Sequence, residues 1–228
     1  MSGGWDYPDA RLLLFAKAPV PGRVKSRLRP ALGARGACVV YQQLFCHTLD
    51  TALRSRAAPV EVWAAPSAAH PWVRARSREA GAPLRVQPPG DLGERMAAAL
   101  HTALADSPYA VIVGADCAGL TAGHVREAFR SLAAGDDAVF CPAHDGGYLL
   151  VGLRRVDFQV FRAVPWGTAD VMRATRQRVR RLGWRIRELT PARDVDRQAD
   201  VRFLRRAGVL GSPGSGGGRC DRPDQPLS

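Results

Sequence analysis

Apolar and polar positions along this chain fall into short blocks that change period from one block to the next. Residues 11–16 (RLLLFA) form an apolar run closed by APVPG, which predicts a buried strand leaving its sheet through a turn-rich loop. From about Ala34 to Arg54, Val39, Val40, Leu44, Leu49 and Leu53 recur at three-to-four spacing, which predicts a helix with one buried stripe. PVEVWAA then reads as a strand, residues 69–80 as a polar helix and LRVQ as a short strand. DLGERMAAALHTALAD reads as a helix whose Asp91 and Glu94 have capping-box spacing. YAVIVGAD, which ends on Asp116, is the clearest strand, because its run of apolar residues suits a strand covered on both faces. Thr121 is placed to cap a helix running to about Ala134. AVFCPA and GGYLLVGL are two further strands, the second entered through a DGG turn.

Six or seven alternations of strand and helix specify an α/β layered fold with right-handed crossovers, and such folds hold ligands beyond the carboxyl ends of their strands. The predicted organisation is a flexible N-terminus over residues 1–10, one domain over 11–210, and a disordered Gly/Ser/Pro-rich tail over 211–228. No apolar run approaches the roughly 18 residues that span a bilayer, and MSGGWDYPDA lacks the order of a secretory signal. The expectation is a cytoplasmic protein without membrane insertion, its oligomeric state open.

Charge changes this picture little. The formal net charge of +12 raises nucleic-acid binding as a class, but 31 of the 33 basic residues are Arg, as a GC-rich coding sequence would supply by default. Between Arg173 and Arg206 arginine alternates with apolar residues at helical spacing, the pattern of a helix's solvated face. Aromatic residues near those arginines that could stack on a base, such as Trp184, are few, so a nucleic-acid partner is not expected. The five cysteines are scattered without CxxC spacing and read as reduced, small apolar residues.

The two lysines, Lys17 and Lys25, share one loop with Gly22, Arg23 and Arg27. Cations this dense repel one another unless an anion joins them, and the segment reads either as a phosphate cradle or as a basic surface loop. It is neither a P-loop nor a GxGxxG turn. Asp116, ending the best strand, is placed to hold a hard cation that bridges phosphates, or serves as a turn residue. In DGGY, Asp145 could orient a hydroxyl or act as a base, while Gly146 and Gly147 mark either a tight turn or a close approach to ligand. Trp166 and Thr168 of PWGT offer a ring wall and a helix N-terminus to an acceptor. DVD, ending on Asp196, reads as a helix cap or as a late carboxylate pair.

In order, FAKAPVPGRVKSRL, GDLGERM, VGADCAGLT, HDGGYLLVGL, VPWGTADV and RDVD resemble a bacterial family of GT-A-like transferases formerly described as a domain of unknown function, over residues 11–207. The resemblance implies a three-layer, Rossmann-like nucleotide-diphospho-sugar transferase fold with a mostly parallel sheet. It further implies that Arg23 and Lys25 bind nucleotide phosphates and that Asp116 and Asp196 hold Mg²⁺ or Mn²⁺; Lys17, Gly22, Arg27 and Arg95 are expected beside the phosphates, and Lys25 and Asp145 are expected to act in catalysis. Gly146, Gly147, Tyr148, Trp166 and Thr168 would then face the acceptor. Ala118 and Gly119 stand where the family usually has Pro and Asp, so Asp116 is alone in its stretch. The expected activity is metal-dependent glycosyl transfer from a nucleotide sugar to a small acceptor. The alternative is nucleotidyl transfer from an NTP to a phosphorylated acceptor, and an idle nucleotide-binding relative is a third reading.

Overall fold

A computed structural model describes residues 4–192 and 200–202. A sheet of seven strands is flanked by helices on both faces, with strand order β3-β2-β1-β4-β6-β5-β7. The strands are β1 (Arg11–Lys17), β2 (Val60–Ala65), β3 (Leu84–Val86), β4 (Ala110–Gly114), β5 (Ala138–Pro142), β6 (Tyr148–Leu153) and β7 (Ile186–Glu188). All neighbouring pairs are parallel except those made by β6, which runs antiparallel to both β4 and β5. The tight DGG connection forces that reversal, because a turn this short cannot carry the chain back to the start of a parallel strand. The architecture is the expected three-layer, mostly parallel α/β fold.

Strand β1 shows how period-two patterning builds both layers. Leu12, Leu14 and Ala16 join a core under α1 (Arg29–Ser55), α2 (Pro71–Glu79) and α4 (Ala122–Ala133). Leu13 and Phe15 face the opposite core, under α3 (Leu92–Leu104) and α5 (Val171–Arg181). Capping boxes open α3 at Asp91/Glu94 and α4 at Thr121/His124, as residue spacing predicts for the first. Helix α1 is broken at Gly33 (φ 68°), which places its regular part where the hydrophobic stripe begins.

Within residues 5–10, Tyr7 stacks on Phe129 at 5.8 Å and Ala10 is buried. Two expectations need correction. The arginine-rich stretch is not one helix: α5 ends at Arg181, and the chain re-enters the sheet as β7, where Arg176 of α5 grips Glu188 at 2.6 Å. Nor does Thr168 start α5, whose N-cap is Asp170. Thr168 closes the preceding turn instead, donating to the Pro165 carbonyl and accepting from the Asp170 N–H. The predicted tail and Asp196 lie outside the described residues.

Candidate active site

The carboxyl ends of β1 and β4 are neighbours, with Phe15 opposite Gly114 in register, and the chain beyond each strand turns over the same edge of the sheet. After β1, helix α1 clamps the emerging loop. The Tyr41 hydroxyl accepts from the Lys17 N–H (2.7 Å) and donates to the Lys17 carbonyl (3.0 Å), and the Cys38 thiol donates to the Pro19 carbonyl. Val24 packs against Cys38 and Tyr41. Burial pushes the Tyr41 phenol and the Cys38 thiol upward in pKa, so both keep their protons and their hydrogen bonds.

Pinned in this way, the loop delivers Lys25. Its backbone is left-handed (φ 43°), a conformation that costs a non-glycine residue about 1 kcal/mol or more. Its ammonium, with only 5% of the side chain exposed, lies 2.7 Å from Asp116 Oδ2, while Asp116 remains 36% exposed. The lysine and the acid closing β4 therefore meet at one point, the convergence on which the phosphate-binding reading depends.

Around that pair lies a lobe of about 240 Å³ lined by Lys17, Lys25, Arg95, Gln87, Tyr41 and Asp116, among others. Arg95 reaches it from the first turns of α3, held by its Nη1 bond to Gln87 Oε1 (2.9 Å). Gln87 is buried, and its amide donates to the carbonyls of Ala16 and Trp63. It ties β1, β2 and Arg95 into one frame. Sequence reasoning missed Gln87 and Tyr41. A lone polar residue after a short strand and a tyrosine in a helical stripe carry no local signature of their role.

A second lobe of about 240 Å³ adjoins the first, sharing Phe15, Leu92 and Gly114. Arg27, Asp145, Gly147, Tyr148, Trp166 and Thr168 line it, with Met96, Ile112 and Val151 beneath. Tyr148 stands edge-on to both Phe140 (5.2 Å) and Trp166 (6.2 Å). Trp166 lies over Gly93, where a Cβ would sit 2.9 Å from the indole ring, so the glycine of GDLGERM is what lets the wall come down. The Trp166 Nε1 and Tyr148 hydroxyl are buried without a well-formed hydrogen bond among the described residues, and burial raises the Tyr148 pKa.

Three candidates do not reach the lining. Arg23 is exposed on the loop, and neither it nor Gly22 lines either lobe. Gly146 approaches protein rather than ligand. At φ 91° a Cβ there would collide with the Ala169 backbone, and its carbonyl accepts from the Met172 N–H at 2.8 Å. Gly147 donates to Asp145 Oδ1 at 3.0 Å and does line the second lobe.

The donor set for a metal is small. Among the described residues no three His, Cys, Asp or Glu side chains converge, and Asp116 is the one carboxylate in the polar lobe. Mg²⁺ commonly takes one or two carboxylates and completes its shell with water and phosphate oxygens. Asp116 thus fits an ion that arrives with a nucleotide better than a closed resident centre.

A cleft at the carboxyl ends of parallel strands, polar in one lobe and apolar in the other, on this sheet order, is the arrangement of the nucleotide-diphospho-sugar transferase fold. The chain belongs to the family described as uncharacterized protein conserved in bacteria (DUF2064), whose model matches residues 48–168. A protein from Desulfovibrio desulfuricans G20, provisionally named a nucleotide-diphospho-sugar transferase, is 30% identical over 88% of both chains, with a TM-score of 0.79. CMP:2-keto-3-deoxy-manno-octonic acid synthetase complexed with CTP shares the fold at 12% identity, over 88% of this chain and 98% of that one (TM-score 0.57). So does the manganese complex of Rv0371C from Mycobacterium tuberculosis H37Rv, at 20% identity over 86% and 97% (TM-score 0.51). Curated proteins yield no significant match. No helix among the described residues is long and apolar enough to cross a membrane.

Proposed function

We propose that the protein is a nucleotidyltransferase, joining the nucleotidyl group of an NTP to a phosphorylated small acceptor. The observation that supports this most is the Lys25–Asp116 contact in a lobe also lined by Lys17 and Arg95, which assembles cations for a triphosphate around a single carboxylate. An acceptor phosphate oxygen attacks the α-phosphorus, forming a new P–O bond. The bond from the α-phosphorus to the oxygen bridging it to the β-phosphorus breaks, and pyrophosphate departs with that electron pair. Lys25 neutralises charge that grows on the phosphoryl oxygens, a role for which a rigidly held ammonium is suited because no reorganisation is needed as the reaction proceeds. Lys17 and Arg95 bind the phosphates, and Asp145 orients the acceptor at the second lobe. Asp116, with Asp196 as a second candidate, would hold Mg²⁺ or Mn²⁺, which supplies charge neutralisation between phosphates when bound.

Glycosyl transfer from a nucleotide sugar is the second reading, favoured by the name carried by the Desulfovibrio relative. The same polar lobe would serve it. Incubation with each NTP, Mn²⁺ and a panel of phosphorylated acceptors separates the two. Pyrophosphate release that requires acceptor and vanishes in Lys25→Ala supports nucleotidyl transfer. Release of nucleoside diphosphate from a nucleotide sugar, with no pyrophosphate from any NTP, overturns it.

A further inference from the structure

The second lobe has a chemistry of its own. Its inner walls are Trp166, Tyr148, Met96, Ile112 and Val151, while the polar groups Asp145, Thr168 and Arg27 are all exposed and so stand at its rim. Thr168 both donates and accepts within its turn, and one carboxylate oxygen of Asp145 accepts from the Gly147 N–H. A hexose would bring about five hydroxyl groups into such a space, and each one buried without a partner costs about 1–3 kcal/mol. An apolar ring brings no such penalty. The lobe's volume of about 240 Å³ is ample for one, since an apolar cavity of about 150 Å³ holds a benzene molecule. The rim adjoins the polar lobe through Phe15, Leu92 and Gly114, and Arg27 lies two residues beyond Lys25 in the same 3-10 turn region. An anion at that rim would point toward the nucleotide's phosphates.

We infer that the acceptor is the phosphate monoester of a compact apolar alcohol, its ring or branched body lying between Trp166 and the β4–β6 floor and its phosphate at the rim. This inference rests on the nucleotide-transfer reading of the polar lobe, and it narrows the acceptor from phosphorylated small molecules in general to those with an apolar body. Trp166 and Tyr148 act here as specificity-determining walls.

The test is calorimetric titration of the full chain with benzyl phosphate and, separately, glucose 1-phosphate, each alone and with each of the four NTPs plus Mn²⁺. Benzyl phosphate is expected to bind at least about ten-fold more tightly, since burial of one ring is worth that factor or more. Trp166→Ala should remove most of the difference by weakening benzyl phosphate and leaving glucose 1-phosphate little changed. Equal affinities, a preference for glucose 1-phosphate, or failure of both ligands to bind under every condition overturns the inference. So does an equal loss for both ligands in the variant. The wild-type comparison stands even where the variant does not fold. Titration with NTP alone reports on the polar lobe separately. Loss of NTP binding would end the nucleotide reading while the preference between the two monoesters is still read directly.

Discussion

The polar and apolar lobes meet at Phe15, Leu92 and Gly114, yet they are held in place by different physics. In the polar lobe, position comes from side chains acting on backbone: Tyr41 on Lys17, Cys38 on Pro19, Gln87 on Ala16 and Trp63. In the apolar lobe it comes from backbone meeting backbone, where the DGG turn abuts the segment before α5 and the Gly146 carbonyl receives the Met172 N–H. A site fixed by side-chain bonds can lose one anchor and keep its fold. A site fixed by an interlocked main chain tolerates changes in its walls but none in the lock.

That contrast can be broken first at the lock. Gly146→Ala combines a positive φ with a collision against the Ala169 backbone, so we expect a loss of about 4 kcal/mol or more, read as a lower midpoint in urea unfolding. A shift under about 1 kcal/mol would mean the two segments are not interlocked. In the polar lobe, Lys25→Ala should leave the fold intact and lower nucleotidyl transfer on the order of a hundred-fold or more, measured as pyrophosphate release. Gln87→Leu strips two buried carbonyls of their donor and frees Arg95. A stability loss of about 2 kcal/mol is expected, together with a few-fold rise in nucleotide KM at unchanged kcat. Arg23→Ala, at an exposed residue outside both linings, should change nucleotide affinity by under about 1 kcal/mol, an effect that fades with added salt.

A pH titration compares the lobes without mutation, since each contains one tyrosine, Tyr41 or Tyr148, whose pKa burial raises above the ordinary value of 10. For Tyr41 the charge of Asp116 adds to that effect. The folded chain keeps both protons where the unfolded chain gives them up, so stability present below about pH 10 should decline as the pH rises beyond it. Absorbance at the phenolate band should show Tyr41 and Tyr148 ionising only as the chain unfolds.

Much of this was legible from the residues alone, for an identifiable reason. Strands such as RLLLFAK and AVIVG and the Asp91 capping box declare themselves within a few positions, because period and cap are local properties. The convergence of Lys25 with Asp116 followed from both standing just beyond parallel strands. Gln87 was not legible because its role depends on three partners, Ala16, Trp63 and Arg95, of which only Arg95 is near in sequence. The end of α5 was misread because arginines can coat a helix and then a strand without changing composition, so only the turn at Gly183 marks the exchange.

The close approach of Gly146 to Ala169 makes two stretches more than twenty residues apart behave as a single rigid part. Anyone reshaping this pocket for a new acceptor inherits that coupling. Libraries that vary the ring at 166 and the hydroxyl at 168 while leaving the glycine untouched would remodel the chamber, whereas randomising position 146 would mostly harvest unfolded chains.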